Sequence, residues 1–139
     1  MKIGCVLMAA GLGRRFGENK LTVDLGCGET LINYALSAIP GDKLHRVVVV
    51  TQYPQVAALA EKYSFTPLHN PYPERGQSES IRIGLAALAD CDAVMFQVAD
   101  QPRLKKETVA DLIGFAAAHP DRIVGLGHRG RRGNPCIFP

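Results

Sequence analysis

Three features that would each indicate a function class are missing from this sequence. No stretch reaches the run of about 18 apolar residues that a membrane-spanning helix needs. The four cysteines, at positions 5, 27, 91 and 136, lack the C-x₂-C spacing of a zinc site or a redox motif. A formal net charge of only +3 is too small to indicate nucleic-acid binding. We therefore expect a soluble cytoplasmic protein with free thiols and with no membrane or nucleic-acid partner.

Apolar runs alternate with segments of helical spacing along all 139 residues. Five buried strands are predicted at 3–9, 47–51, 65–69, 93–98 and 123–126. Four helices are predicted between them, at 30–37, 54–63, 78–88 and 105–118. This alternation predicts an α/β protein with a doubly wound, mostly parallel sheet in a single domain, 1–139. Because residues 133–139 look like the start of a further strand, we expect the domain to be incomplete at its C-terminus.

The segment after the first predicted strand is rich in glycine and carries two cations. Gly11, Gly13 and Gly17 allow backbone N–H groups to approach a phosphate closely. Arg15 and Lys20 are placed to neutralise the charges of a triphosphate. The G-x-G-x-x-x-G spacing misses the dinucleotide fingerprint by one residue and lacks the G-K-[ST] ending of a P-loop. A solvated surface turn is the structural alternative.

Residues 9–20 read A-A-G-L-G-R-R-F-G-E-N-K. This stretch resembles the A-A-G-x-[GS]-x-R-[MF]-G-x-x-K signature of the molybdenum cofactor nucleotidyltransferases and their sugar-phosphate and isoprenoid-precursor relatives. The resemblance implies a Rossmann-like fold of the nucleotidyltransferase type, in which Arg15 and Lys20 hold the NTP phosphates and take part in catalysis. The nucleotide-binding positions that it implies here are Ala9, Ala10, Gly11, Gly13, Arg15 and Lys20.

A carboxylate, Asp100, follows the predicted strand at 93–98. The carboxyl ends of parallel strands share one edge of a sheet, so we expect Asp100 near the glycine-rich segment. Mg²⁺ prefers oxygen ligands and binds through one or two carboxylates plus substrate phosphates. A turn or helix-cap aspartate before Pro102 is the alternative. In the resembling family this strand commonly ends G-D-x-P with the aspartate as metal ligand, which implies that Asp100 is a catalytic Mg²⁺ ligand, although Ala99 here replaces the glycine.

A loop of amides and hydroxyls precedes the third predicted helix. Its candidate base-binding residues are Asn70, Gly76, Gln77, Ser78 and Ser80. Residues 76–85, G-Q-S-E-S-I-R-I-G-L, resemble the G-Q-[SG]-x-S-[IL]-x-x-G-[IL] stretch of the molybdenum cofactor cytidylyltransferases, where this loop contacts base and ribose. The resemblance favours cytosine over guanine. Ser78 is equally placed to cap the helix that follows.

The basic turn at 130–135, G-R-R-G-N-P, resembles the G-x-x-G-x-P turn near the acceptor pocket of the same family. Such a turn is suited to a phosphorylated pterin. A solvated cluster of surface arginines is the alternative. Family members continue for some tens of residues and carry a second acidic motif that helps to bind metal, and this sequence does not contain that motif.

Together the matches imply Mg²⁺-dependent transfer of CMP from CTP to the molybdenum-pterin cofactor, with release of pyrophosphate and transient contact with a molybdenum hydroxylase. A GTP-dependent guanylyltransferase and a sugar-phosphate nucleotidyltransferase are the enzymatic alternatives. A non-catalytic accessory protein that binds nucleotide or cofactor is the alternative of another class. A dinucleotide-dependent oxidoreductase is disfavoured by the glycine spacing.

Overall fold

Six strands and four helices make up the part of the chain that the computed structural model describes. It describes residues 1–11, 30–99, 101, 103–128 and 131–139, and of residues 128, 131 and 132 the backbone alone. The strands are β1 (Ile3–Ala9), β2 (Arg46–Thr51), β3 (Thr66–His69), β4 (Ala93–Val98), β5 (Val124–His128) and β6 (Arg131–Phe138). The helices are α1 (Leu31–Ser37), α2 (Pro54–Lys62), α3 (Gln77–Ala87) and α4 (Lys106–Ala118). None of these helices has the length and apolar character that crossing a membrane requires.

The predicted elements are confirmed in type and order, with ends that shift by at most two residues. The segment predicted to begin a further strand is part of β6, which starts at Arg131. Local chemistry explains several boundaries. The Thr30 hydroxyl accepts a hydrogen bond from the Asn33 amide at 3.2 Å and caps α1, while Pro54 occupies the first turn of α2, where its missing N–H is not needed.

The sheet has the strand order β3-β2-β1-β4-β6-β5. Strands β3, β2, β1 and β4 are parallel to their neighbours, whereas β6 runs antiparallel to both β4 and β5. The predicted α/β fold with a mostly parallel, doubly wound sheet is therefore confirmed. The chain winds from β1 toward β3 and then crosses to the other side of β1, so the order reverses between β1 and β4. Ligands of open α/β sheets bind at the carboxyl ends of strands at such a switch point.

Helices cover both faces of the sheet, as buried parallel strands require. On one face α1, α2 and α4 enclose the larger core, in which Leu7, Leu36 and Met95 are fully buried. On the other face α3 packs over a smaller cluster that includes Val6, Val48 and Leu88. This sandwich fixes the carboxyl ends of β1 and β4 side by side, with Met8 paired to Val98.

Candidate nucleotide site

A cavity of about 290 Å³ opens at the switch point between β1 and β4. Its lining combines the end of β1, the end of β4 and the loop that leads into α3. The lining residues are Met8, Ala10, Gly11, Asn70, Pro73, Gly76, Gln77, Ser80, Val98 and Ala99. Two segments that lie far apart in the sequence, and that were each predicted to bind nucleotide, therefore meet at one site.

Most of the described candidate residues lie in this lining, and two do not. Ala9 is 1% exposed and sits in the core beneath the cavity. Ser78 is exposed and is not part of the lining, and its hydroxyl donates to the Arg75 carbonyl at 3.2 Å. The proposed capping role of Ser78 is wrong, because α3 begins at Gln77 and Gly76 is its cap residue. Gly76 has φ +80°, a left-handed conformation that residues with a Cβ rarely adopt.

Four candidate residues lie outside the described part of the chain: Gly13, Arg15, Lys20 and Asp100. Their assigned roles stay predictions. The structure does place residues that are close to them in the sequence. Ala99, which precedes Asp100, and Gly11, two residues before Gly13, both line the cavity.

Asn70 and Ser80 hold the loop in shape through their side chains. The Asn70 Nδ2 donates to the Ser80 Oγ at 3.1 Å, and the Asn70 Oδ1 accepts from the Tyr72 amide at 2.8 Å. Both residues are buried, at 1% and 3% exposure. Because buried polar groups need partners, these bonds fix the backbone of the loop where it borders the cavity. Both side chains therefore already form hydrogen bonds within the protein.

Gln77 differs from this pair because its carboxamide side chain is exposed while it lines the cavity. It is also the first residue of α3, whose N-terminal amides carry partial positive charge. This residue offers both a donor and an acceptor at the cavity wall.

An ion-paired carboxylate, Glu79, anchors the same loop to α3, and the sequence motif gave no sign of it. The Arg82 Nη2 donates to the Glu79 Oε1 at 2.5 Å, and the Arg75 Nη1 lies 3.8 Å from Oε2. The hydrogen bond from Arg82 lowers the pKa of the Glu79 carboxyl, with a smaller contribution from the charge of Arg75. Arg75 in turn lies 4.0 Å above the centre of the Tyr72 ring. Side-chain contacts therefore hold the loop at 70–76 at both ends, at Asn70 and at Arg75.

The last residue of β2 and the two residues after it contact the end of β1, which sequence inspection also missed. The Thr51 hydroxyl donates to the Ala9 carbonyl, and the Gln52 Nε2 donates to the Ala10 carbonyl, each at 2.9 Å. The Tyr53 hydroxyl donates to the carbonyl of Gly11. No motif connects these positions, because the contacts span more than forty residues of sequence.

On the β6 side of the site, Gln101 reaches across to the predicted acceptor turn. Its Nε2 donates to the Asn134 carbonyl at 3.2 Å, while its Oε1 is buried without a hydrogen-bond partner among the described residues. The bond ties the segment after β4 to β6. The prediction of a turn before the strand is wrong for residues 131–135, because they belong to β6, which pairs with β5 and β4 through its backbone.

The described lining of the cavity contains no carboxylate, so the Mg²⁺ prediction depends on Asp100. Within the described ranges, one group of three potential metal ligands exists, His45, Asp90 and Cys91. These residues precede β2 and β4 and therefore lie at the amino edge of the sheet, opposite the cavity. They are not part of the nucleotide site.

Comparison with known proteins places the chain among nucleotidyltransferases. Purine catabolism protein PucB of Bacillus subtilis (strain 168) is 29% identical over 122 residues, covering 80% of this chain and 59% of PucB. Rv0371c from Mycobacterium tuberculosis H37Rv superposes with a TM-score of 0.72 at 19% identity, covering 99% of this chain and 71% of that protein. A nucleotidyl transferase from Methanothermobacter thermautotroptrophicus superposes with a TM-score of 0.67 at 23% identity, covering 81% of this chain and 57% of the other.

The similarity to these two solved structures establishes the fold. This chain spans less than two thirds of the length of PucB and of the Methanothermobacter protein. The model of the MobA-like NTP transferase domain matches residues 5–139, which include every motif discussed above. This protein therefore belongs to the MobA-like NTP transferase domain family.

Proposed function

We propose that this protein is a Mg²⁺-dependent nucleotidyltransferase that transfers CMP from CTP to the molybdenum-pterin cofactor and releases pyrophosphate. The observation that carries the proposal is the cavity between β1 and β4, where Ala10 and Gly11, at the start of the glycine-rich motif, meet the loop that leads into the cytidylyltransferase-like motif. An acceptor phosphate oxygen attacks the α-phosphorus in line while the bond to pyrophosphate breaks. Catalysis of this kind depends on positioning and on neutralisation of charge.

The phosphate half of the site begins at Gly11, the last described residue before the basic part of the motif. Arg15 and Lys20 follow in the sequence and hold the triphosphate in this proposal. Glycine at position 11 suits such a role because an added Cβ would meet none of the described residues within 4 Å, and Gly11 borders the cavity. The positive charges of Arg15 and Lys20 also stabilise the charge that develops as pyrophosphate leaves.

The base half of the site is the wall formed by Gln77 and the loop at 70–76. Cytosine presents an amino donor beside ring acceptors, and a carboxamide offers one acceptor and one donor group that match them. Gln77 is therefore the proposed base-reading side chain, while Asn70 and Ser80 keep the loop in register through their mutual hydrogen bond.

Asp100 is the proposed ligand of Mg²⁺, which supplies charge neutralisation at the phosphates when it is bound. The acceptor is proposed to enter beside Gln101 and the start of β6, which carries Arg131 and Arg132, whose charges suit a phosphorylated pterin. The product is then delivered to a molybdenum hydroxylase in the cytoplasm.

Nucleotide-dependent thermal stability tests the proposal first. A ligand that binds only the folded state stabilises it by about 2.7 kcal/mol at a hundredfold excess over its Kd. We expect CTP with Mg²⁺ to raise the Tm more than GTP, ATP or UTP. Lys20→Met should abolish this shift, whereas the matched control Lys62→Met, on α2 and away from the cavity, should leave it unchanged.

Pyrophosphate release in the presence of the pterin acceptor tests the chemistry, and Asp100→Asn should abolish it while the fold persists. A larger shift with GTP would reassign the protein to the guanylyl branch. Tight binding without pyrophosphate release would indicate a carrier. Absence of a shift with every nucleotide would contradict the proposal.

A further inference from the structure

The hydrogen-bond ladder between β1 and β2 is continued by side chains beyond the point where the backbone pairing stops. The last paired residues are Ala9 and Thr51. At that level the Thr51 hydroxyl donates to the Ala9 carbonyl, and one residue further the Gln52 carboxamide donates to the Ala10 carbonyl, both at 2.9 Å. The chain leaving β1 is therefore held by side chains where a strand would be held by backbone.

Tyr53 extends the same series to a third carbonyl. Its hydroxyl donates to the Gly11 oxygen, which also lies 3.5 Å from the Gln52 Nε2. Gln52 Nε2 is 3.1 Å from the Tyr53 oxygen, and the Tyr53 amide donates to the Thr51 hydroxyl at 3.1 Å. Three consecutive side chains thus engage three consecutive carbonyl groups and also contact one another.

The electrostatic consequence concerns the cavity. A carbonyl oxygen carries a partial negative charge, so one that faced a bound triphosphate would repel it. Each of these oxygens is instead occupied by a donor from the β2 side. Ala10 and Gly11 line the cavity, so the orientation of their peptide groups determines what charge the glycine-rich segment presents there.

We propose that Gln52 and Tyr53 are positioning residues that fix the carbonyl groups of Ala10 and Gly11, so that the segment leaving β1 presents a surface suited to phosphate. They act through the backbone and not by touching the nucleotide. This inference rests on the proposed nucleotide-binding function and deepens it, because it names the residues that preorganise the phosphate half of the site.

Two properties of Tyr53 suit it to this task. Burial raises the pKa of its phenol, so the hydroxyl keeps its proton and stays a donor. Its ring also packs against the larger core, which holds the hydroxyl in place. A Tyr53→Phe variant keeps that packing and removes only the hydroxyl, which donates to the Gly11 carbonyl and accepts from the Gln52 Nε2.

The test compares Tyr53→Phe with a matched control, Tyr63→Phe, in the full chain. Tyr63 also has one side-chain hydrogen bond, from its hydroxyl to the Asn33 Oδ1 at 3.2 Å, and it does not line the cavity. Loss of one hydrogen bond corresponds to an affinity change of about threefold to tenfold. We expect Tyr53→Phe to weaken the binding of CTP with Mg²⁺ by about that factor and to leave the affinity for cytidine unchanged. We expect Tyr63→Phe to bind both ligands as the wild type does.

Hydrogen exchange at the Ala10 and Gly11 amides, measured without nucleotide, separates this inference from the function on which it rests. Faster exchange in Tyr53→Phe than in Tyr63→Phe supports the positioning role. Unchanged exchange, an equal loss of CTP affinity in the control, or an equal loss of cytidine affinity would each overturn it. If the wild type binds no nucleotide, the proposed function fails, and the exchange rates still decide whether Tyr53 fixes this segment.

Discussion

Individual buried polar residues hold the described part of the site in shape. Thr51, Asn70, Glu79 and Ser80 are each less than 10% exposed, and each has a hydrogen-bond partner that fixes a segment next to the cavity. A buried polar group that loses its partner is destabilising, so these positions link the stability of the fold to the shape of the site. Glu79 is the one charged member of the group.

Glu79→Gln is expected to lower the Tm at neutral pH and to have little effect in acid. The pKa of the Glu79 carboxyl is lowered in the folded protein, chiefly by the hydrogen bond from Arg82. Its stabilising contribution is therefore present above the unfolded-state pKa and is lost as the pH falls below about 4. Thermal unfolding at neutral and at acid pH measures the difference.

The control for this prediction is the substitution Glu107→Gln. Glu107 is an exposed glutamate in the first turn of α4. Like Glu79 in α3, it lies in the first turn of its helix, but it is exposed and not buried. An equal penalty for Glu79→Gln at both pH values would contradict the ion-pair explanation.

At the scale of elements, α3 packs directly against β1 at Gly84, which has no side chain to keep them apart. A Cβ built at Gly84 would meet both methyl groups of Val6 at 2.6 Å. Glycine inside a helix is unfavourable by about 1 kcal/mol relative to alanine. Its presence in α3 is explained by this close packing, which draws the loop at 70–76 toward the end of β1.

Gly84→Ala is expected to destabilise the protein by about 1 to 3 kcal/mol, because overpacking outweighs the gain in helix propensity. Gly114 in α4 provides the opposite case, since a Cβ there would meet nothing within 4 Å in the part of the chain that the structure describes. Gly114→Ala is expected to stabilise the protein by about 0.5 to 1 kcal/mol. Urea unfolding of both variants checks the pair, and stabilisation by Gly84→Ala would refute the packing argument.

At the scale of the whole molecule, the two faces of the sheet are covered unequally. Among the described residues, three helices enclose the larger core on one face, whereas α3 is the one helix that packs on the other. Leu36 of α1 is completely buried, while Leu85 of α3 remains 43% exposed. The free energy of folding is therefore concentrated on the face of α1, α2 and α4, and the site is built at the edge where both layers end.

Leu36→Ala is expected to reduce the free energy of unfolding by about 2 to 5 kcal/mol, the usual range for a fully buried leucine. Leu85→Ala, the same change on the other face, is expected to reduce it by less than about 1 kcal/mol, because little buried area is lost. Denaturant unfolding midpoints measure both. Similar losses for the two variants would show that the second face contributes as much as the first.

The helices and strands could be predicted from the sequence because their signals are local. The run of β-branched residues at 47–50, the cap at Thr30 and the proline at position 54 each act within a few residues of where they stand. The same holds for the glycine-rich segment and for residues 76–85 at the start of α3, whose residue types and spacing indicated nucleotide binding. Ser78 was misplaced as a cap because Gly76 ends the preceding turn with a positive φ, which periodicity does not reveal.

The sequence by itself therefore determined the order of elements, the α/β class and the two segments from which the site is made. Only the tertiary structure decided that β6 inserts antiparallel between β4 and β5, that α3 approaches β1 at Gly84, and that Thr51, Gln52 and Tyr53 hold the end of β1. The physical reason is distance along the chain. Local propensities act between neighbours, whereas sheet order, close packing and side-chain tethers depend on residues that meet only when the whole fold has formed.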